Sequence, residues 1–137
     1  MHYNNIRWMD IYTLQLVILI LLVLIPSLSN GHELTPTYPK LRPSYIDGVL
    51  VTDMHMWNRR EDAQYYEINV YDIDWNPIPF ASTERVMQLE YLAHKDFEIY
   101  IRDRDELKVE YICTTSKQLK EDVKSTGIKS MICSRVR

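Results

Sequence analysis

The chain has 137 residues, 46% of them hydrophobic, with 16 basic and 19 acidic side chains and a net charge of −3. That length supports one core and excludes a large multidomain enzyme, a repeat array and a polytopic membrane protein. The charge pattern argues against nucleic acid and anionic lipid as partners: Lys117, Lys120, Lys124 and Lys129 are interleaved with Glu121 and Asp122 and form a solvated face, not a basic stripe.

The apolar residues are unevenly placed. Ile11 to Ile25 carries no charge, and residues 1–31 read as a secretory signal peptide. Arg7 supplies the basic n-region, Leu14 to Ile25 the apolar stretch, and Pro26 the end of its helix. Small residues follow, placing cleavage after Ser29 or Gly31. An uncleaved anchor is the rival, but the run falls short of the about 20 apolar residues a span needs, so no stable membrane insertion is expected after cleavage. Of the remaining 106 residues, 44 are hydrophobic, an ordinary content for a secreted, extracellular domain.

Residues 32–45 hold Pro36, Pro39 and Pro43 and read as a proline-rich arm, because each proline removes a donor and extends its predecessor. Residues 46–137 form the single domain. Ile46 to Thr52 is a short strand with Gly48 at a bulge or close backbone approach. In Tyr65 to Ile73, Tyr66, Ile68 and Val70 share one face, and Trp75 to Pro79 ends the strand with turn chemistry. Residues 84–92 fit a strand through Met87, Leu89 and Tyr91, with a helix capped by Ser82 or Thr83 as the alternative.

A hairpin is expected next, with Phe97, Ile99 and Ile101 on one face, Asp103 to Glu106 as the loop, and Leu107, Val109, Tyr111 and Cys113 on the returning face. Ser116 then caps a short helix carrying Leu119 and Val123, and Gly127 takes the left-handed position at its end. A last strand from Ile128 to Val136 brings Cys133 back toward Cys113. In an oxidising compartment these two cysteines form one disulfide. The strands without βαβ alternation predict a mainly β fold, a small antiparallel β-sandwich or open barrel with one short helix.

Four stretches carry a family resemblance. Asp47-Gly48-Val49-Leu50, Val70-Tyr71-Asp72-Ile73-Asp74 with Pro77, Ala81-Ser82-Thr83-Glu84 and Glu98-Ile99-Tyr100 together resemble the transthyretin-like family of secreted nematode proteins. The resemblance implies an extracellular, non-enzymatic binding protein built on a β-sandwich, and supplies no site residues.

Catalytic and cofactor chemistry finds little support, and no cofactor or metal is expected. Asp72, Asp74 and Asn76 mimic the start of a calcium loop, but Pro77 stands where its glycine is required, so they read as turn-shaping residues. Met54, His55 and Met56 offer copper donors, yet alternation sends the methionines to the core and His55 outward. The aromatics carry the binding signal: Trp57, Trp75, Tyr65, Tyr71 and Tyr100 fall on loops or outward faces. The expected surface joins Trp57 to the turn formed by Tyr71, Asp72, Asp74, Trp75 and Asn76, and its partner is an extracellular protein or small ligand. Two alternatives stand beside it: a small extracellular hydrolase or metal-dependent enzyme gathering His55, His94 and carboxylates in a pocket, and a structural factor that self-associates through sheet edges.

Overall fold

The computed structural model of the chain describes residues 6–23, 31–118 and 127–137. Helix α1 (Ile6–Val23) occupies most of the apolar N-terminal run and exposes its apolar side chains from Leu14 to Leu22. No helix among the described residues is long and apolar enough to cross a membrane. Pro26 and the Ser27 to Asn30 part of the expected cleavage region lie outside the described residues.

The rest is mainly β, two antiparallel sheets packed as a sandwich. In the first, β1 (His32–Thr35) and β2 (Arg42–Pro43) lie along one side of β3 (Val49–Asn58), and β6 (His94–Arg102) lies along the other. In the second the order is β5 (Val86–Gln88), β4 (Tyr65–Tyr71), β7 (Tyr111–Lys117), β8 (Met131–Arg135). Strand alternation builds the core: Met54, Met56, Phe97, Ile99 and Ile101 from the first sheet meet Tyr66, Ile68, Val70, Met87 and Ile112 from the second. Met54 and Met56 are therefore core residues, as their alternation with His55 implies, and Met87 places 84–92 on the strand side of its ambiguity.

Gly48 adopts φ +74°, a conformation that favours glycine, and its carbonyl accepts the Asp103 N–H at 2.9 Å. The close approach expected there is made by the start of the Asp103–Lys108 turn, and β3 starts just after it and runs on to Asn58.

Three expectations are corrected. Residues 32–45 are not a free arm: β1 pairs with β3 in the first sheet, Thr37 and Pro39 carbonyls then accept the N–H groups of Arg135 and Arg137 beside the second, and β2 returns to β3. The prolines fit because they lie between or at the ends of pairings, where no ladder donor is required of them. The hairpin is also absent, since β6 pairs with β3 while β7 pairs with β4 and β8. Its charged loop is a 3-10 turn (Asp103–Lys108) that carries the chain from one sheet to the other, with Asp105 buried beside Arg102 and Lys108 and Leu107 fully exposed. Ser116 caps no helix but is buried within β7; Leu119 and Val123 lie outside the described residues, while Gly127 does take a positive φ of 72°.

Cys113 and Cys133 face each other across β7 and β8 and form the disulfide, with Cα atoms 4.0 Å apart.

Candidate functional site

Asp72 organises the turn that follows β4. Its Oδ1 accepts the N–H groups of Asp74 and Asn76 at 2.9 and 2.8 Å, and its Oδ2 accepts the Asn76 side-chain amide at 3.0 Å. The Asn76 amide, followed by its backbone N–H and that of Asp74, holds the Asp72 carboxyl below the usual carboxylate range. Both oxygens are thus committed to shaping the turn. Among the described residues no group of three or more His, Cys, Asp or Glu is placed to hold a metal ion.

The turn drives Trp75 to φ +65°, which is costly for a bulky side chain. Its indole lies flat on Tyr111, with centroids 4.7 Å apart and planes 6° from parallel, and Tyr71 packs beside it at 5.7 Å. Trp75 nevertheless remains 49% exposed. Tyr111 pairs across the sheet with Arg135, which is bound to Glu110, and the Arg137 guanidinium lies 3.9 Å over the Tyr38 ring. The result is an outward platform of Tyr71, Trp75 and Tyr111 bordered by arginines and a further tyrosine.

Trp57 does not belong to this platform. It sits at the opposite end of β3, on the outer face of the other sheet, flanked by Glu33 and His94. Its indole N–H donates to the Leu92 carbonyl and Arg59 lies 4.3 Å over its ring, with Glu33 holding Arg59. The single surface expected to join Trp57 to the Asp72–Asn76 turn is therefore split between two sheets. Pattern reading reveals that Trp57 and Tyr71 point outward from their strands, but not which strands share a sheet.

His55 and His94 do come together, with a carboxylate beside them, while His32 lies elsewhere. His55 bonds Asp96 through Nδ1 and lies 5.5 Å from the His94 ring, on the outer face of the first sheet. Neither histidine lines the cavities beside Val49 and Tyr100.

His32 is buried in a polar cluster that the sequence did not disclose. Its Nε2 lies 3.2 Å from the Thr114 carbonyl and 3.0 Å from Thr114 Oγ1, and its Nδ1 lies 3.2 Å from Ser130 Oγ. Donation of an Nε2 proton to the carbonyl leaves Nδ1 to accept from the Ser130 hydroxyl. Burial depresses the imidazole pKa, opposed by the Thr114 carbonyl and aided by the nearby Arg60 cation. Between the unfolded value near 6.5 and the lower native value, the unfolded chain binds the extra proton, so falling pH favours unfolding. Urea melts should show stability declining as the pH falls below about 6.5, by no more than about 1.4 kcal/mol per unit from this residue. A His32→Gln variant should flatten that slope; an unchanged slope would remove His32 as its source.

No family model matches the chain, and no curated protein matches its sequence. Solved structures do. The E. coli chaperone DraB superposes with a TM-score of 0.57 at 16% identity, over 77% of this chain and 53% of that one. The ASH / PapD-like domain 7 of human CEP192 gives a TM-score of 0.49 at 10% identity, over 79% and 83% of the two chains. The chain thus spans about half the length of the chaperone, and at this identity the likeness is one of fold. The fold is a β-sandwich like that of the DraB chaperone, which overturns the transthyretin-like resemblance. The stretches behind that resemblance are the turn into β3, the end of β4 with its Asp-x-Asp turn, a loop bridged only at Ala81, and the middle of β6.

Proposed function

We propose that this chain is an extracellular binding domain whose contact surface is the aromatic platform around Trp75. The observation that carries the reading is the conformation of Trp75 itself. A half-exposed indole occupies a backbone position where glycine or asparagine would be unstrained, stacked on Tyr111 and presenting its remaining surface outward. Tryptophan, tyrosine and arginine are the residue types most enriched among binding hot spots, and they border one another here. Arg7, the apolar run and the small residues through Ser29 support export, and the likeness to a chaperone accords with a role in binding another protein.

Two substitutions test the assignment. Trp75→Ala loses the stack and keeps the strain, whereas Trp75→Gly loses the stack and relieves it. The glycine variant should therefore be the more stable of the two by roughly 0.5–1 kcal/mol, and should melt within a few degrees of wild type by circular dichroism. Immobilised wild-type domain incubated in extracellular fluid should retain a discrete partner that Trp75→Gly retains at least tenfold less. Equal retention by the two proteins, or repeated recovery of nothing by wild type, would overturn the reading.

A further inference from the structure

The outer face of the first sheet carries a cluster that takes no part in the Trp75 platform. Strand alternation sends Met54 and Met56 inward and leaves His55 and Trp57 facing out. In the ladder of β3 with β6, His55 stands opposite Asp96 and Trp57 opposite His94, so the two histidines are diagonal neighbours on adjacent strands. Their ring centroids lie 5.5 Å apart, His94 is exposed, and the His55 side chain is 40% exposed, so solvent reaches both rings. The β3–β6 ladder runs unbroken from Val49 to Trp57 and fixes the backbone beneath them.

Three features of the cluster point to a metal ion. An ionised carboxylate only accepts, so His55 Nδ1 carries the proton it shares with Asp96 and Nε2 keeps its lone pair for a ligand. An ion about 2.0–2.1 Å from one nitrogen of each ring, with those nitrogens roughly 90–110° apart around it, sets the ring centres roughly 4.5–5.2 Å apart. The 5.5 Å between His55 and His94 is within a few tenths of an ångström of that range, a gap that small side-chain rotations close. The next outward positions of the two strands, Asp53 and Glu98, add two carboxylates against the single guanidinium of Arg42, so the face favours a cation. Asp96 acts through His55 and is not itself a ligand, which accords with the lack of any three-donor cage among the described residues.

We propose that His55 and His94 together chelate one divalent ion of the zinc and copper class, with Asp96 as the positioning residue. His55 binds through Nε2 and His94 through one ring nitrogen, and water completes the coordination. Imidazole suits zinc and copper, whereas calcium and magnesium require oxygen ligands that two rings do not provide. The site is independent of the Trp75 surface, whose tyrosines belong to the second sheet.

Titration of the 15N-labelled full chain with zinc chloride, read by the histidine ring nitrogen shifts and by calorimetry, tests the site. One ion per chain should bind, moving the ring nitrogens of His55 and His94 and leaving those of buried His32 in place. His55→Ala and His94→Ala should each weaken binding at least tenfold, and Asp96→Ala roughly tenfold, as expected for loss of the group that orients a metal-bound histidine. Without metal, Asp96→Ala should also lose the single Nδ1–H tautomer of His55, a signature that a merely structural role would not move. Zinc should raise the melting temperature of the wild type but not that of the His55→Ala, His94→Ala double variant, whose own melt shows that it folds. Absence of zinc binding, binding that persists in the double variant, or an equal response to calcium chloride would overturn the site. Full zinc affinity in Asp96→Ala would overturn the positioning role of Asp96.

Discussion

Replacing Arg60 by alanine is expected to lower the stability of the domain by about 3 kcal/mol, the low end of the range for breaking a buried ion pair, because Asp62 keeps some access to water. Arg60 is 5% exposed and lies where the two sheets meet. Its guanidinium grips Asp62 through two bonds, donates to the Ser130 hydroxyl at 2.8 Å and to the Ile128 carbonyl at 2.9 Å, and reaches Ser116 at 3.3 Å. Alanine would leave these acceptors and the Asp62 carboxylate without their common donor. Arg60→Lys should recover only part of the loss, since an ammonium cannot reproduce the planar fork. Chemical denaturation checks both variants, and a midpoint unchanged in Arg60→Ala would show that the cluster contributes little net stability.

Removing the disulfide is the second large perturbation. The Cys113–Cys133 bond closes a loop of 21 residues, which on the chain-entropy model is worth about 3 kcal/mol. The Cys113→Ala, Cys133→Ala double variant should lose about that much in urea melts, and its melting temperature should fall by roughly 12–20 °C. The bond also ties β8, an edge strand, to β7, so amide exchange should accelerate first along Met131–Arg135. Native mass spectra should show the wild type lighter by two hydrogens than its reduced form. Two alkylatable thiols in the native protein would contradict the bond.

The strands themselves were largely legible, because strict alternation in residues 65–71 and 94–102 leaves little choice of face. The face of β7 was not. Its hydrophobic alternation places Tyr111 and Cys113 toward the core, yet Ile112, Thr114 and Ser116 point inward. Thr114 and Ser116 are admitted there because their partners are His32 and Arg60, so the interior at that end is polar and the usual sign of burial is inverted. Tyr111 was therefore missed as a platform residue, and Trp57 was grouped with the wrong turn. Sheet membership was equally hidden: an eight-residue connection between strands serves a hairpin and a crossing between sheets alike, and burial of Asp105 against Arg102 and Lys108 belongs to the crossing.

The positions of Trp57 and Trp75 have an optical consequence. Both lie outside the core, one on each sheet and at opposite ends, while the largest fully buried ring is that of Tyr66. Indole emission from the sandwich therefore reports its two outer faces and not its interior. Trp57 has a guanidinium over its ring and Trp75 a phenol stacked beneath it, so the two fluorophores differ in their quenching surroundings. A variant retaining one of them would distinguish an event on the first sheet from one on the second.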